Sequence, residues 1–577
     1  MRALVLHPED SLFDSHWSGT HWDFVFDLGT AGANIYSEWE NRLGGHVAGL
    51  IAFRSSDDAA RLRDLLSFAR SKIVDDLGLD WWELNCVFFY QAFDQAMLLL
   101  RLADELRHCD EVVVSRPGFP ARVLQLLLGE RVCVSQPAPW SQAGARLKHY
   151  GRLLSKFSPS QLAEICSDKF DPEYSLRRRF PQKASQLKQP VVLFPSAYSN
   201  ASKMLAAYAR MLPDQQFLLV ATRRSATLFQ PPSNVHLVSL AAYSHARRSP
   251  ARLSSLLKKW NHVLTTTEYV PEWNQLHRAG ALDSFPRLLS TGMAIRDAWL
   301  NVFQQHDVSA VFSGDEGNPY VCIPLKLAAG RGIPSLSVHH GALDGRFALK
   351  EPSAELILAK STMELDYLMR CGLEPCRLVL GAPAVRSATS TAAPSGSDII
   401  FFSEPYEVFS GRTEEIYRQL LPPLCKLAVT AGRKILLKLH PFESAHDRGR
   451  WIRRVLCPAE RDSVQIVNGP LTPALFDRAW FGITVQSTVA IECAIAAIPC
   501  FLCDWLSDPL FGYARHFSKF GAGYLLKSPD DIATIPQILE KYTPSSAIAE
   551  NLCSSLSCDA LRTLLRGRTV PAAAAVC

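Results

Sequence analysis

The amino-acid sequence predicts an α/β protein built on parallel sheets, and three observations support this. Bounded apolar runs of four to six residues recur along the chain, among them ILLKL (435–439), SVQIV (463–467) and FGITV (481–485), each closed by polar or turn-forming residues. Short runs of this kind are what strands covered on both faces require. Helix-length stretches such as DQAMLLLRLADELRH (94–108) lie between the runs, the alternation of βαβ units. The chain has 577 residues, more than one core accommodates, so two or three units are expected.

Composition narrows the function classes. With 48% hydrophobic and 20% charged residues, the chain has the balance of a globular protein and not of a disordered one. The greasiest stretch, VAIECAIAAIPCFLCDW (489–505), contains Glu492 and Pro499, so it predicts helix then strand and not a membrane span. The start MRALVLHPED lacks the pattern of a signal peptide, and a cytoplasmic location is expected. Fifteen cysteines show no regular framework, and several (Cys322, Cys493, Cys500) sit inside apolar runs as reduced core thiols. Cys500 and Cys503 form a CxxC without a second pair at zinc-like spacing, so no metal site is expected. The net charge of +5 is modest, yet basic residues cluster in SLRRRFPQK, ATRRS, HARRSPARL and RGRWIRRVL. Such clusters are usually solvated faces, and they also suit peripheral contact with an anionic membrane at its inner face. No zinc finger, aromatic platform or helix-turn-helix is visible, so nucleic acid is not an expected partner.

The elements follow in order. Residues 1–140 predict an N-terminal α/β region with strands in ALVLHP, DFVFDLG, VAGLIAF, CVFFY, EVVVSRPG and RVCVSQ. Residues 141–189, rich in Ser, Pro, Lys and Arg, predict a connector. A Rossmann-like domain over 190–386 opens with PVVLFPSAYSNASKMLAAYARML, a strand, a polar turn and a helix. It closes after VSAVFSGDEGNPYVCIPLKLAAGRGIPSLSVHHGALDG, where one strand ends at Gly314 and Asp315 and the next at His339, His340 and Gly341. SATSTAAPSGSD (387–398) predicts a linker. A second Rossmann-like domain spans 399–550, and 551–577 predicts a terminal helix and a frayed tail.

The strand ends carry the chemistry, because ligands of open parallel sheets bind there. In the last domain His440 follows ILLKL, while Gln486, Ser487 and Thr488 stand where FGITV gives way to the helical run VAIECAIAA. A helix start has unpaired N–H groups and suits a phosphate, with the two hydroxyls, Lys438 and Glu492 nearby; an ordinary Ser/Thr cap is the plain alternative. In the preceding domain Asp315 and Glu316 are candidates for a general base, with helix capping as their plain alternative. Gly317 and the turn His339-His340-Gly341 would line the same crevice.

The ordered set Asp315-Glu316-Gly317, His440-Pro441 and Ser487-Thr488 resembles the three short motifs of bacterial sialyltransferases and polysialyltransferases. The runs GIPSLSVHHG and GRKILLKLHPFES to STVAIECAIAAIPCFL are also similar to capsule transferases that use CMP-Kdo and to CDP-glycerol glycerophosphotransferases. The resemblance implies a GT-B-like fold, two Rossmann-like domains facing a cleft, here with an additional N-terminal α/β region. It implies a metal-independent inverting glycosyltransferase without a cofactor. The donor would be a nucleotide sugar, a CMP-sugar being favoured, and the acceptor a surface polysaccharide or glycolipid. Carried over, Asp315 or Glu316 is the base, and His440, Pro441, Ser487 and Thr488 hold the donor nucleotide. The non-hydrolysing UDP-N-acetylglucosamine 2-epimerases share a Gly-Asp turn, an HP turn and a Ser-rich helix start. They carry Glu-Ala-Gly where this chain has His339-His340-Gly341, and Gly-Gly where it has Thr488-Val489. Epimerase, glycerophosphotransferase and non-catalytic scaffold are the alternatives.

Overall fold

The computed structural model describes residues 1–7, 17, 20–28, 46–55, 57–135, 187, 189–227, 229–244, 250–341, 343–383, 396–406, 412–440, 443–469, 471–508, 510–542 and 551–567. Most of the predicted connector, residues 387–395 of the predicted linker, Pro441 and the tail 568–577 lie outside them.

Three parallel sheets organise the chain. The first contains β1 (Arg2–Leu6), β2 (Phe24–Asp27), β3 (His46–Gly49), β4 (Glu111–Val114) and β5 (Val132–Val134), in the order β3-β2-β1-β4-β5. The second contains β6 (Val191–Ser196), β7 (Phe217–Ala221), β8 (Val235–Ser239), β9 (Val308–Ser313), β10 (Ser335–Val338), β11 (Leu356–Ala359) and β12 (Leu378–Leu380), in the order β12-β11-β10-β9-β6-β7-β8. The third contains β13 (Asp398–Phe402), β14 (Lys434–Lys438), β15 (Val464–Val467), β16 (Ala479–Thr484), β17 (Cys500–Cys503) and β18 (Tyr524–Leu526), in the order β15-β14-β13-β16-β17-β18.

Each sheet places its first and fourth strands side by side and adds the others outward from that pair. This is the doubly wound Rossmann order, with a crevice at the switch point between the central strands. The α/β expectation holds, and the N-terminal sheet repeats the winding of the other two. Strands VVLFPS and DIIFF are buried at every residue, as parallel strands covered on both faces must be. Among the described residues no helix is long and apolar enough to cross a membrane.

Two compact units emerge from the contacts. One comprises Met1–Asp58, Met97–Ser135 and Arg386–Cys553, the other Ala59–Ala96, Gln136–Val385 and Ser554–Cys577. In the second, Trp82 stacks on Phe89 and Trp260 and meets Phe93, Trp273 and Phe285, which ties the segment after residue 58 to the helices Pro250–Thr265, Pro271–Arg278 and Phe285–Gln305. Large rings packed this way dominate the burial of a small helical layer. The terminal helix Cys558–Leu565 belongs to this unit, its Leu561 and Leu564 packing in the cluster of Leu205, Tyr208 and Phe312.

Two expected strands differ. CVFFY forms a 3-10 turn, Cys86–Phe88, running into the helix Tyr90–Leu106. Asp80 caps the preceding helix Trp81–Asn85 by accepting from the N–H groups of Trp82 and Glu83, and no turn-former stands between that helix and Cys86, so the chain stays helical. VAGLIAF is strand only to Gly49 and then a 3-10 turn, Leu50–Phe53.

Candidate functional site

The switch point of the β6–β12 sheet lies between β6 and β9, and the loop after β9 is built to hold a carboxylate there. Asn318 caps the helix Pro319–Ala329 by accepting from Tyr320 N–H at 2.9 Å, and Pro319 opens that helix. Ser313 Oγ donates to the Asp315 carbonyl at 2.8 Å, and Asp315 Oδ1 accepts the Gly317 N–H at 3.0 Å. Gly314 lies so close to the next layer that a Cβ would stand 2.9 Å from the Ala201 carbonyl oxygen.

Within this loop the two candidate bases separate. Glu316 is turned inward, where Oε2 takes Lys350 Nζ at 3.2 Å and Ser353 N–H at 2.9 Å, and Oε1 takes Ala354 N–H at 2.9 Å. Its carboxylate pins the 350–354 segment, which corrects the expectation that it could serve as the base. Glu316→Gln leaves the buried Lys350 ammonium without its counter-charge and is expected to cost about 3 kcal/mol in a urea melt. A cost under about 1 kcal/mol would remove this structural role.

Asp315 is 2% exposed, and its Oδ2 is buried without a hydrogen-bond partner among the described residues. Burial works to raise its carboxyl, but the Arg346 guanidinium, His340, the Gly317 N–H and His339 hold it below the usual carboxylate range. His339 and His340 follow β10, which pairs with β9, so both rings reach the same crevice. Burial lowers both, His339 to about 3, against the pull of Asp344 on His339 and Asp315 on His340. Both are neutral near pH 7. The Nδ1 of His340 lies 3.3 Å from the Gly314 carbonyl oxygen. At Gly341 a Cβ would stand 2.8 Å from His339 Nε2, so glycine is what lets the ring lie there.

Arg346 organises this crevice. Its Nη1 meets Asp315 Oδ1 at 3.0 Å, its Nη2 meets His339 Nδ1 at 3.2 Å and Asp344 Oδ2 at 2.8 Å, and its Nε meets Asp344 Oδ1 at 2.7 Å. A Cβ on Gly317 would stand 1.4 Å from Nη1, so only glycine lets the guanidinium reach Asp315. Gly317→Ala is therefore expected to displace Arg346, costing about 1–3 kcal/mol in thermal melts and impairing turnover. A variant with native melting and native turnover would contradict this arrangement.

In the other unit the β13–β18 sheet has its switch point between β13 and β16. The turn after β16 carries Gln486, Ser487 and Thr488, and the helix that follows, Val489–Ile495, has seven residues. The predicted cradle exists, but its donors are committed within the chain. Glu404, just beyond β13, accepts the Gln486 N–H at 3.0 Å and the Thr484 hydroxyl at 3.1 Å, and the Ser487 N–H also bonds to it. Gln486 Oε1 accepts the Asp508 N–H at 3.0 Å, and Ser487 Oγ accepts the Val489 N–H at 3.4 Å. Thr488 and Glu492 are exposed. The expectation that a phosphate finds the N–H groups of Gln486 and Ser487 unpaired is corrected: a glutamate holds them.

On the other side of β13, the turn after β14 carries His440, whose N–H donates to Glu443 Oε2 at 2.6 Å. Burial and the neighbouring Lys438 lower its imidazole below the ordinary value. Lys438 spends its ammonium on the carbonyls of Leu439 and Gly469, each at 2.7 Å, and so joins two strand ends instead of pointing into a ligand space. Glu443 also takes Ser403 Oγ at 2.7 Å and Arg448 Nε at 2.6 Å.

Glu404 has a titration consequence. Burial raises its carboxyl to about 7, aided by Glu443 and opposed by the N–H and hydroxyl donors. A carboxyl raised in the folded state binds its proton more tightly folded than unfolded. Its stabilising contribution is present below about pH 4.5 and is lost as pH rises towards 7. Glu404→Gln should then be more stable than the parent at pH 8, by on the order of 2 kcal/mol, with no gain at pH 4. Parallel stability curves for the two proteins across that range would refute it.

The structure thus gathers Asp315, His339, His340 and Gly341 around one crevice, and Lys438, His440, Gln486, Ser487 and Thr488 around the strand ends flanking β13. Arg346, Asp344, Glu404 and Glu443 were not singled out from the sequence. The signal for the first two was the D-G-R triplet after the histidine turn, and for the others an acid placed just after each of two successive strands.

No family model and no curated protein matches the chain. Among solved structures it is similar to the UDP-GlcNAc 2-epimerase from Methanocaldococcus jannaschii at 11% identity, covering 65% of this chain and 98% of that one, with a TM-score of 0.42. A glycosyltransferase from Rickettsia africae matches at 10% identity over 66% and 94% of the two chains, TM-score 0.39. The calicheamicin glycosyltransferase CalG4 matches at 13% identity over 63% and 93%, TM-score 0.37. At this level of likeness the reaction has to be argued from this chain's own residues.

Proposed function

We propose that the chain is an inverting glycosyltransferase acting on a nucleotide-activated sugar, with Asp315 as the group that receives the acceptor's proton. One observation carries this reading: a buried, ionised carboxylate at a sheet switch point has one oxygen fully engaged and the other without a hydrogen-bond partner among the described residues. In the reaction the acceptor O–H gives its proton to Asp315 Oδ2 while the acceptor oxygen bonds to the anomeric carbon. The bond from that carbon to the donor phosphate oxygen breaks, and its electron pair leaves with the nucleotide. Because Arg346 holds Asp315 weakly basic, proton transfer runs together with bond formation instead of preceding it. His440, Ser487 and Thr488, with the hydroxyl and ring donors they present beside β13, are the residues this reading gives to the leaving phosphate.

The motif resemblance supports a CMP-sugar as donor and a surface polysaccharide or glycolipid as acceptor. A thermal-shift panel of CMP, CDP, UDP and GDP tests the nucleotide. A true ligand at a hundredfold excess over its dissociation constant stabilises by about 2.7 kcal/mol. A response to CMP is expected, and silence to all four nucleotides would favour a non-catalytic scaffold. Incubation with UDP-N-acetylglucosamine and no acceptor separates the epimerase reading, since interconversion of that sugar would replace transfer as the conclusion.

A further inference from the structure

We propose that Tyr198 and Arg223 form the acceptor subsite beside Asp315, and that the acceptor they take is a glycan carrying an anionic group, a carboxylate or a phosphate. Four neighbouring strand ends of one sheet meet there. β7 leads to Arg223, β6 to Tyr198, β9 to Asp315 and Asn318, and β10 to the two histidines. Arg223 belongs to the basic run ATRRS, to which the transfer reaction as described gives no role.

The loops that carry these side chains are fixed by the fold. Thr222 N–H donates to the Ser196 carbonyl at 2.8 Å and Ser225 Oγ to the Ala197 carbonyl at 2.6 Å, which ties the turn after β7 to the turn after β6. Asn318 joins both turns to the loop of Asp315. Its Oδ1 accepts the Tyr320 N–H, so its Nδ2 is the end that donates to the Tyr198 hydroxyl oxygen at 3.3 Å. Arg223 Nη1 donates to the same oxygen at 3.2 Å, and its guanidinium lies over the Tyr198 ring, 5.4 Å from the ring centre.

What these contacts leave over decides the ligand. A phenol oxygen has two acceptor positions and one proton to give. Asn318 and Arg223 fill both acceptor positions, so the Tyr198 O–H is left to donate, and no acceptor for it stands among the described residues. Arg223 has no carboxylate at ion-pair distance among the described residues, whereas other cations of this unit are matched, Arg346 by Asp315 and Asp344 and Lys350 by Glu316. Tyr198 and Arg223 are both partly exposed, so a ligand reaches them from solvent.

The subsite therefore offers donors alone, the remaining N–H groups of a planar guanidinium and one O–H. Such a set fits an oxyanion, which takes a forked pair from arginine in charge-assisted hydrogen bonds. A neutral hydroxyl accepts less strongly. β7 and β9 flank β6, so their ends stand about 10 Å apart at ordinary strand spacing. That distance keeps the acidic group off the Asp315 carboxylate while both are reached by one short oligosaccharide. The inference deepens the reading given above and rests on it for the ligand being the acceptor of transfer; the preference for charge follows from the side chains themselves.

Saturation-transfer NMR of the full-length protein, which reads weak binding, tests this with one disaccharide in three forms: cellobiose, glucuronyl-glucose and cellobiose 6′-phosphate. At least one acidic form is expected to bind at least about tenfold tighter than cellobiose, and the stronger of the two tells an acidic sugar from a phosphorylated one. Arg223→Gln should bring that ratio close to one. Tyr198→Phe, which keeps the ring, should weaken the acidic ligand about threefold. Equal affinities, no binding of any form, or a ratio unchanged in Arg223→Gln overturns the proposal. Should Arg223→Gln fail to melt like the parent, an acid affinity unchanged in Tyr198→Phe overturns it instead. A ratio near one beside an intact nucleotide response refutes this subsite only. Acid preference without any nucleotide response refutes the transferase reading only.

Discussion

Asp315→Asn is expected to lower sugar transfer about a thousandfold while leaving the fold in place, the effect of removing a positioned proton acceptor. The replacement keeps the shape of the side chain, so Gly317 N–H retains an acceptor and Arg346 keeps both of its bonds to Asp344. What disappears is the negative charge at Oδ2. Transfer should be measured with saturating donor, beside a thermal melt of the same preparation. Turnover within a few-fold of the parent in a properly folded variant would end the assignment of Asp315 as the acceptor of the proton.

Arg296→Met is expected to destabilise the unit containing the β6–β12 sheet by about 3–5 kcal/mol, the largest stability effect anticipated here. Arg296 is fully buried on the helix Phe285–Gln305. Its Nη1 meets Asp75 Oδ2 at 2.8 Å and Asp76 Oδ1 at 2.7 Å, and its Nη2 meets Asp297 Oδ1 at 2.9 Å. Asp75 is itself 2% exposed and also takes the Trp81 indole N–H at 3.1 Å. Methionine fills much of the volume but leaves a buried carboxylate uncompensated. The cost lies in the orphaned acid more than in the lost pair, so Asp75→Asn added to Arg296→Met should recover part of it. Urea denaturation of the single and double variants measures both, and a single-variant loss below about 1 kcal/mol would show that the network contributes little.

The comparison of Asp315 with Glu316 shows how far the chain could be understood from its residues alone. Adjacent acids after a strand are equivalent in one dimension. In three, Glu316 accepts from Ser353 and Ala354, while Asp315 keeps an oxygen without a hydrogen-bond partner among the described residues. Glu404 makes the same point at the other sheet. Ser487 and Thr488 were recognisable as a helix start, yet the carboxylate that fills the cradle lies 82 positions before Gln486. CVFFY failed for a different reason: β-prone residues carry no strand signal strong enough to interrupt a helix capped six residues earlier at Asp80.

By itself the sequence determined the parallel α/β alternation, the strand ends and the turn residues that follow them, because burial on both faces and turn chemistry are local properties of short segments. It thereby placed Asp315, His339, His340, His440 and Ser487 at strand ends. Tertiary structure alone decided which of these groups are free to act. It brought Arg346 onto Asp315, turned Glu316 and Lys438 to structural use, joined Asp75 to Arg296 across 221 positions, and wound the N-terminal strands in the same order as the other two sheets. The physical reason is that a polar group's reactivity depends on which partners satisfy it and how much water reaches it, and both are set by residues that meet only after the chain has folded.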